Sequence, residues 1–278
     1  MTNIILKDNP LTSKEVVKGA IDNLLAPIVL FTYNRLWHTI QTIESLQKNE
    51  LASSSELFIY SDGWKNEDDK SQVLQVREYL GNIDGFKQVT IVEQTINLGL
   101  ADSIISGVTK IINKYEKIIV LEDDIVTSPY FLKYMNDALD FYENKDDVWH
   151  VSGWNYPIIN NTKDDVFLWQ VMNCWGWATW SNKWKYYEKN TTKLVNEFSE
   201  EDIYKFNFDG TCDFWSQVKS NHMNTSNTWA IFWYATIFKY NGLCLNPIQT
   251  FVDNIGFDDQ STHCNNKNYI DDINTNTK

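Results

Sequence analysis

The chain has 278 residues, 43% of them apolar, enough for one large domain or two small ones with a sizeable core. Its formal net charge of −13 argues against nucleic acid as a partner, because phosphate neutralisation needs a basic surface, and against simple attachment to anionic lipid. The longest apolar run, residues 24–31, is far short of the ~20 residues that span a bilayer.

In chain order, residues 1–25 form a polar N-terminal extension with no signal-peptide pattern, which points to a cytoplasmic protein. Residues 26–32 are an apolar run that predicts a first strand. Leu36, Ile40 and Ile43 then share one face at helical spacing. Leu57-Phe58-Ile59-Tyr60 predicts a second strand, ended by the turn Ser61-Asp62-Gly63. Val73, Val76, Tyr79 and Leu80 mark a second helix, residues 89–92 a third strand, and Leu100, Ile104, Val108, Ile111 and Ile112 a third helix. Lys117-Ile118-Ile119-Val120 predicts a fourth strand, which runs into Leu121-Glu122-Asp123-Asp124.

This alternation predicts an α/β fold with a mostly parallel sheet flanked by helices. In such sheets ligands sit at the carboxyl ends of the strands. Asn34, Arg35, Asp62, Asn97, Asp123 and Asp124 all fall there and would converge on one edge. Carboxylates are costly to bury unpaired, so an acidic cluster at a strand end faces solvent, a cation or a ligand. A hard divalent cation takes oxygen ligands and neutralises a diphosphate. A solvated loop after a strand would show the same acids, so the cluster carries weight only in this company.

The second half changes character. Residues 149–184 are crowded with Trp, Gly, Asn and Tyr, densest at Cys174-Trp175-Gly176-Trp177-Ala178-Thr179-Trp180. With 12 Trp in the chain, a sugar-stacking surface and a large aromatic core are both open readings. Residues 199–213 are acidic, 229–240 predict an aromatic helix, and the polar tail 267–278 follows. Cys174, Cys212, Cys244 and Cys264 have no Cys-x-x-Cys spacing and are expected to be free thiols.

Six segments, in order, carry a resemblance: Thr32-Tyr33-Asn34-Arg35, Ser61-Asp62-Gly63, Asn97-Leu98-Gly99-Leu100, Glu122-Asp123-Asp124, Gly176-Trp177-Ala178-Thr179-Trp180, and Asn254-Ile255-Gly256-Phe257 with Thr262-His263. Together they resemble the GT-A (Rossmann-like) glycosyltransferases. The likeness is to bacterial sugar transferases related to the N-acetylglucosaminyltransferase that begins hybrid N-glycan synthesis. The resemblance implies a single GT-A domain, with residues 26–150 binding a nucleotide sugar and 151–266 forming an aromatic acceptor-binding half. It implies donor contacts from Asn34, Arg35, Asp62, Asn97, Glu122 and Asp123. The acidic cluster matches the family's DXD-type motif: Asp124 would bind Mn2+ or Mg2+, with His263 as a second candidate. Trp175 and Trp177 would stack on the acceptor.

The implied reaction moves a sugar from a nucleotide diphosphate, a uridine one by resemblance, to a hydroxyl of a glycan or lipid-linked glycan. It implies inversion and a place in bacterial surface polysaccharide synthesis. Peripheral association with the inner face of the cell membrane stays open. Each residue also has a plainer reading: Arg35 as a surface residue at a helix start, Asp62 as a turn residue, Asn97 as a helix cap, the tryptophans as core.

One segment departs from the pattern. Inversion needs a general base, which the family places as an Asp just before a Trp at the start of the aromatic helix. Here the chain reads Ser226-Asn227-Thr228-Trp229, and an amide cannot take that proton. Asp213, beside Phe214 and Trp215, is the substitute candidate, its apolar neighbours expected to raise its pKa. A sugar-binding module or a weakly active relative are the alternatives. A sugar nucleotidyltransferase would carry a Gly-rich, Lys-containing loop after strand one, and residues 32–36 have neither residue.

Overall fold

The computed structural model describes residues 4–7, 25–157 and 164–257. The strands are β1 (Ile4–Lys7), β2 (Ile28–Thr32), β3 (Glu56–Ser61), β4 (Gln88–Glu93), β5 (Lys117–Glu122), β6 (Ile125–Thr127), β7 (Val148–Ser152), β8 (Val166–Trp169), β9 (Trp177–Trp180), β10 (Leu243–Pro247) and β11 (Val252–Asn254). The helices are α1 (Leu36–Gln47), α2 (Glu67–Leu80), α3 (Leu100–Tyr115), α4 (Phe131–Phe141), α5 (Ser181–Trp184), α6 (Thr191–Glu197), α7 (Glu200–Phe206), α8 (Trp215–His222) and α9 (Ala230–Lys239). Among the described residues no helix is long and apolar enough to cross a membrane.

The expected α/β class holds. The main sheet has the order β1-β4-β3-β2-β5-β9-β7-β10-β8, beside a two-stranded β6–β11 sheet. From β1 to β5 the strands are parallel. The chain winds outward from β2 through β3 to β4, then returns to place β5 on the other side of β2. The strand order therefore reverses between β2 and β5, where a crevice opens at the carboxyl ends of an α/β sheet.

Strands buried on both faces need apolar residues in succession rather than alternation. Ile28 and Leu30 of β2 and Ile119 and Leu121 of β5 pack with Ile43, Leu46, Val76 and Leu132 from α1, α2 and α4. The intervening Val29, Phe31, Ile118 and Val120 pack with Ile104, Val108 and Ile111 of α3 and Trp233 of α9. A third cluster, with Phe206, Trp215, Phe232 and Tyr234, joins α7, α8 and α9.

Two features lie outside the sequence expectation. A strand inside the N-terminal extension, β1, pairs with β4. The segment read as an aromatic platform instead supplies β9, inserted antiparallel between β5 and β7. Trp177 is fully buried there, stacked on Trp229 at 5.1 Å and beside His150 at 5.5 Å. The acceptor-stacking role expected of Trp177 is therefore corrected: the ring is core.

His150 ties this aromatic layer together. Its Nε2–H donates to the Asn173 carbonyl at 2.9 Å and its Nδ1 accepts from the Trp233 indole at 3.2 Å, a pattern that requires the neutral ring. Burial pushes its pKa down to about 3, only partly opposed by the Asn173 contact. Unfolding restores an ordinary imidazole, so between about 6.5 and about 3 the unfolded chain binds the extra proton. Stability should thus fall as the pH drops through that window, with a slope approaching 1.4 kcal/mol per pH unit (about one proton) from this residue. Urea unfolding of wild type and His150→Gln across the window checks it; equal slopes would refute the assignment.

Candidate active site at the β2–β5 crevice

Arg35 begins α1, and its backbone carbonyl accepts the Thr39 N–H at 3.0 Å. Its guanidinium turns across the crevice. One nitrogen, Nη2, meets Asp123 Oδ1 and lies 2.8 Å from Asp124 Oδ2. Both acids directly follow β5, whose Glu122 lies opposite Phe31 of β2. The sheet order brings together charges 88 and 89 positions apart.

The cluster holds three carboxyl groups and one guanidinium, and the buried His38 lies near enough to act on Asp123. Burial, then the neighbouring Asp124 and Asp123, pushes Glu122 up to about 8, against Arg35 and a hydrogen bond from the Trp229 side chain. Burial likewise raises Asp123, against the pull of Arg35. For Arg35 burial opposes the charge, but the two aspartates outweigh it and hold the pKa above its ordinary value. Asp123 Oδ2 is buried with no hydrogen-bond partner. A buried, unsatisfied charged oxygen is costly, so this atom marks a place for an incoming donor or cation.

The C-terminal hairpin closes one side. Asn254 of β11 pairs with Ile125 of β6, and the Ile255 N–H donates to the Asp124 carbonyl at 2.9 Å. Gly256 lies so close that a Cβ there would sit 2.1 Å from Asp124 Oδ2 and 3.1 Å from an Arg35 nitrogen. Phe257 follows and meets the half-buried Trp175 edge-on at 5.5 Å.

Asp62 is placed differently. Its oxygens accept the backbone N–H groups of Gly63, Leu98 and Gly99, each at 2.9 Å, and the Asn97 amide at 3.1 Å. Burial raises its pKa while these backbone bonds oppose the shift. Four donors fill the capacity of one carboxylate. The contact to base or ribose expected of Asp62 thus gives way to a structural task, clamping residues 97–99 onto the β3 turn. The Asn97 amide also donates to the Gly63 carbonyl at 2.8 Å, and the N-cap of α3 is Gly99, so Asn97 locks the loop rather than capping the helix. Asn34 reaches Gln72 of α2 at 3.1 Å.

Asp213 is exposed and accepts the Ser216 N–H at 3.2 Å at the start of α8, while Trp215 turns into the core. The apolar setting expected around this carboxylate is therefore absent. His263 lies outside the described residues. Sequence reasoning missed Arg77, which donates to the carbonyls of Asp62 at 3.1 Å and Gln94 at 2.7 Å and so joins the ends of β3 and β4. Its spacing four after Val73, on the apolar face of α2, was the available signal.

No protein-family model matches the sequence, and no curated protein matches it. Solved structures do match. GalNAc-T7 with UDP, GalNAc and Mn2+ gives a TM-score of 0.48 at 13% identity, over 82% of this chain and 43% of that one. The mannosyltransferase PcManGT of Pyrobaculum calidifontis, in complex with GDP-Man and Mn2+, gives 0.35 at 15% identity, over 48% and 36%. S. aureus TarS in complex with UDP-GlcNAc gives 0.35 at 15% identity, over 50% and 38%. The chain thus covers less than half of each of these proteins. Likeness at this level assigns no chemistry, which rests on the residues described above.

Two substitutions separate scaffold from site. Asp62→Asn leaves the backbone donors of Gly63, Leu98 and Gly99 without a charged acceptor and should cost about 1–3 kcal/mol, with faster amide exchange at Leu98 and Gly99. Trp177→Ala should cost about 3–5 kcal/mol in urea unfolding, as expected of a core ring. A neutral Trp177→Ala would restore the exposed-platform reading.

Proposed function

We propose that the chain is a glycosyltransferase that moves a sugar from a nucleotide diphosphate sugar to a hydroxyl of a glycan acceptor. The observation that carries this reading is the cluster of three carboxyl groups and one guanidinium at the β2–β5 reversal, with Asp123 Oδ2 buried and unpartnered. Excess negative charge at the carboxyl end of an α/β sheet suits a cation-bridged anion and little else.

The residues fit a divalent cation in one mode. Among the described residues no three His, Cys, Asp or Glu side chains are gathered to hold a metal. Mg2+-type sites, however, need only one or two carboxylates, with phosphate and water completing the shell. Asp124, aided by Asp123, would hold Mn2+ or Mg2+ in that way. When bound, the ion supplies charge stabilisation to the departing diphosphate. Arg35 would contact the donor nucleotide or its phosphate, and Glu122 the donor sugar or ribose. Trp175, in contact with Phe257 next to Gly256 in the chain, would meet the acceptor.

The six motif matches support the finer assignments: a uridine donor, inversion, the division into a nucleotide half (26–150) and an acceptor half (151–266), kinship with the hybrid N-glycan transferase, and a role in bacterial surface polysaccharide synthesis at the cytoplasmic side. In-line displacement calls for a base that Asn227 and Thr228 do not supply. That gap favours a second reading, a relative that binds the donor and turns it over slowly. Hydrolysis of UDP-sugars by the purified protein separates the two.

Titration with UDP and Mn2+ should stabilise the protein by about 2.7 kcal/mol at a hundredfold excess over Kd. Asp124→Asn should abolish the manganese dependence of that gain while leaving the circular dichroism unchanged. If none of UDP, GDP, ADP, CDP or dTDP stabilises the wild type with Mn2+, the transferase reading fails.

A further inference from the structure

A second opening lies beyond Trp229. It is an open cleft of about 540 Å3 lined by Lys189, Thr191, Asn221, Asn224, Thr225, Ser226 and Asn227. That volume is within the range of small-molecule sites. Every lining residue is polar, one is cationic and none is acidic, in a chain whose net charge is −13.

Lys189 is the cationic residue of the lining. Its ammonium donates to Asn227 Oδ1, a neutral partner, lies over the Phe232 ring 5.6 Å from its centroid, and makes no ion pair among the described residues. The adjacent carboxylate Glu188 is already committed to Lys193 at 2.7 Å. Asp102, in the first turn of α3, acts on Lys189 through space without pairing to it. An ammonium has three donors, so two remain for a ligand. The side chain of Asn224 is exposed at the rim, and Asn221 is fixed by donating to Ser226 Oγ and Thr228 Oγ1 at 3.2 and 2.8 Å.

This lining selects a chemistry. Amides and hydroxyls match the hydroxyl groups of a sugar. No aromatic residue lines the cleft, which disfavours a nucleobase, and the lack of acids disfavours a cation. Lys189 adds a demand for negative charge, strengthened where partial burial favours a paired over an unpaired ammonium.

The cleft is also tied to the acidic cluster. Asn227 precedes by two residues Trp229, whose side chain hydrogen-bonds Glu122. On the other wall Tyr187, two residues before Lys189, donates its hydroxyl to the Trp229 carbonyl at 3.2 Å. Both walls therefore hang on the residue that touches the site.

We propose that this cleft binds a sugar residue carrying an anionic group, held by Lys189 and the amides around it. That the sugar belongs to the acceptor glycan rests on the transferase reading; the binding itself does not, and is measured without donor. The probes are glucuronic acid for a carboxylate source, glucose 6-phosphate for a phosphate source, and glucose as neutral control, followed by saturation-transfer NMR on the whole chain.

One or both anionic sugars should bind at least about tenfold tighter than glucose, the gain expected of one charge-assisted hydrogen bond. Which one gains identifies the anionic group. Lys189→Met should erase the difference and Lys189→Arg keep it. Asn227→Asp, which sets a carboxylate against the ammonium, should erase it too and guards against a misfolded methionine variant. Equal binding of glucose, a preference that survives both Lys189→Met and Asn227→Asp, or no binding of any probe would overturn the proposal. Failure of UDP and Mn2+ to bind would instead sink the transferase reading and leave the cleft assignment standing.

Discussion

The molecule is organised around an electrostatic imbalance. At the point where the strand order reverses, the chain places three carboxyl groups against a single guanidinium. Nothing in local propensity requires this. β5 needs apolar residues through Leu121 because it is buried on both faces, and the acids begin where that demand ends. Arg35 neutralises part of the charge, and Glu122 answers the remainder by holding its proton up to about 8. The fold could have avoided the imbalance with an apolar turn. Instead it packs the backbone of Gly256 against the Asp124 carboxylate and the side chain of Trp229 against Glu122.

The aromatic half supports that setting. Trp177 lies between His150 and Trp229, stacked on both, and the two nitrogens of His150 are fixed by Asn173 and Trp233. Trp229 thereby joins a core with little freedom to shift, which orients its indole toward Glu122. One residue thus links the buried scaffold, the acids after β5 and the Lys189 cleft. Much of the tryptophan content serves this interior, while Trp175 is half-buried against Phe257.

The elements from β2 to β5 were readable in the sequence because their apolar spacing has one interpretation at each step. Val73, Val76 and Leu80 can share a face only on a helix, and Ile118-Ile119-Val120 is too short and too branched for one. β9 was harder. Trp-Ala-Thr-Trp suits either an exposed stacking surface or a central strand, and only the pairing of β5 and β7 on its two sides decides between them. β1 was missed because four residues in a polar segment give no periodic signal. The positions of Arg35, Asp123 and Asp124 at one edge followed from topology, but their pairing through one nitrogen did not, since it depends on how far a guanidinium reaches from α1.

Asp62 shows why position alone does not identify a functional acid. It sits at the same sheet edge as Asp123, is buried to a similar degree, and has its pKa raised by the same burial. Composition and spacing treat the two alike. The difference lies in the donors around them. Asp62 faces three backbone N–H groups and an amide, so it has no acceptor left to offer and spends its charge on loop geometry. Asp123 shares one guanidinium with its neighbour and keeps an oxygen with no partner. Since backbone donors cannot move away, the first is permanent; a shared side chain can yield to a better-charged ligand, and the second can change partners. Capacity left over after folding, rather than acidity or burial, is what separates the two acids.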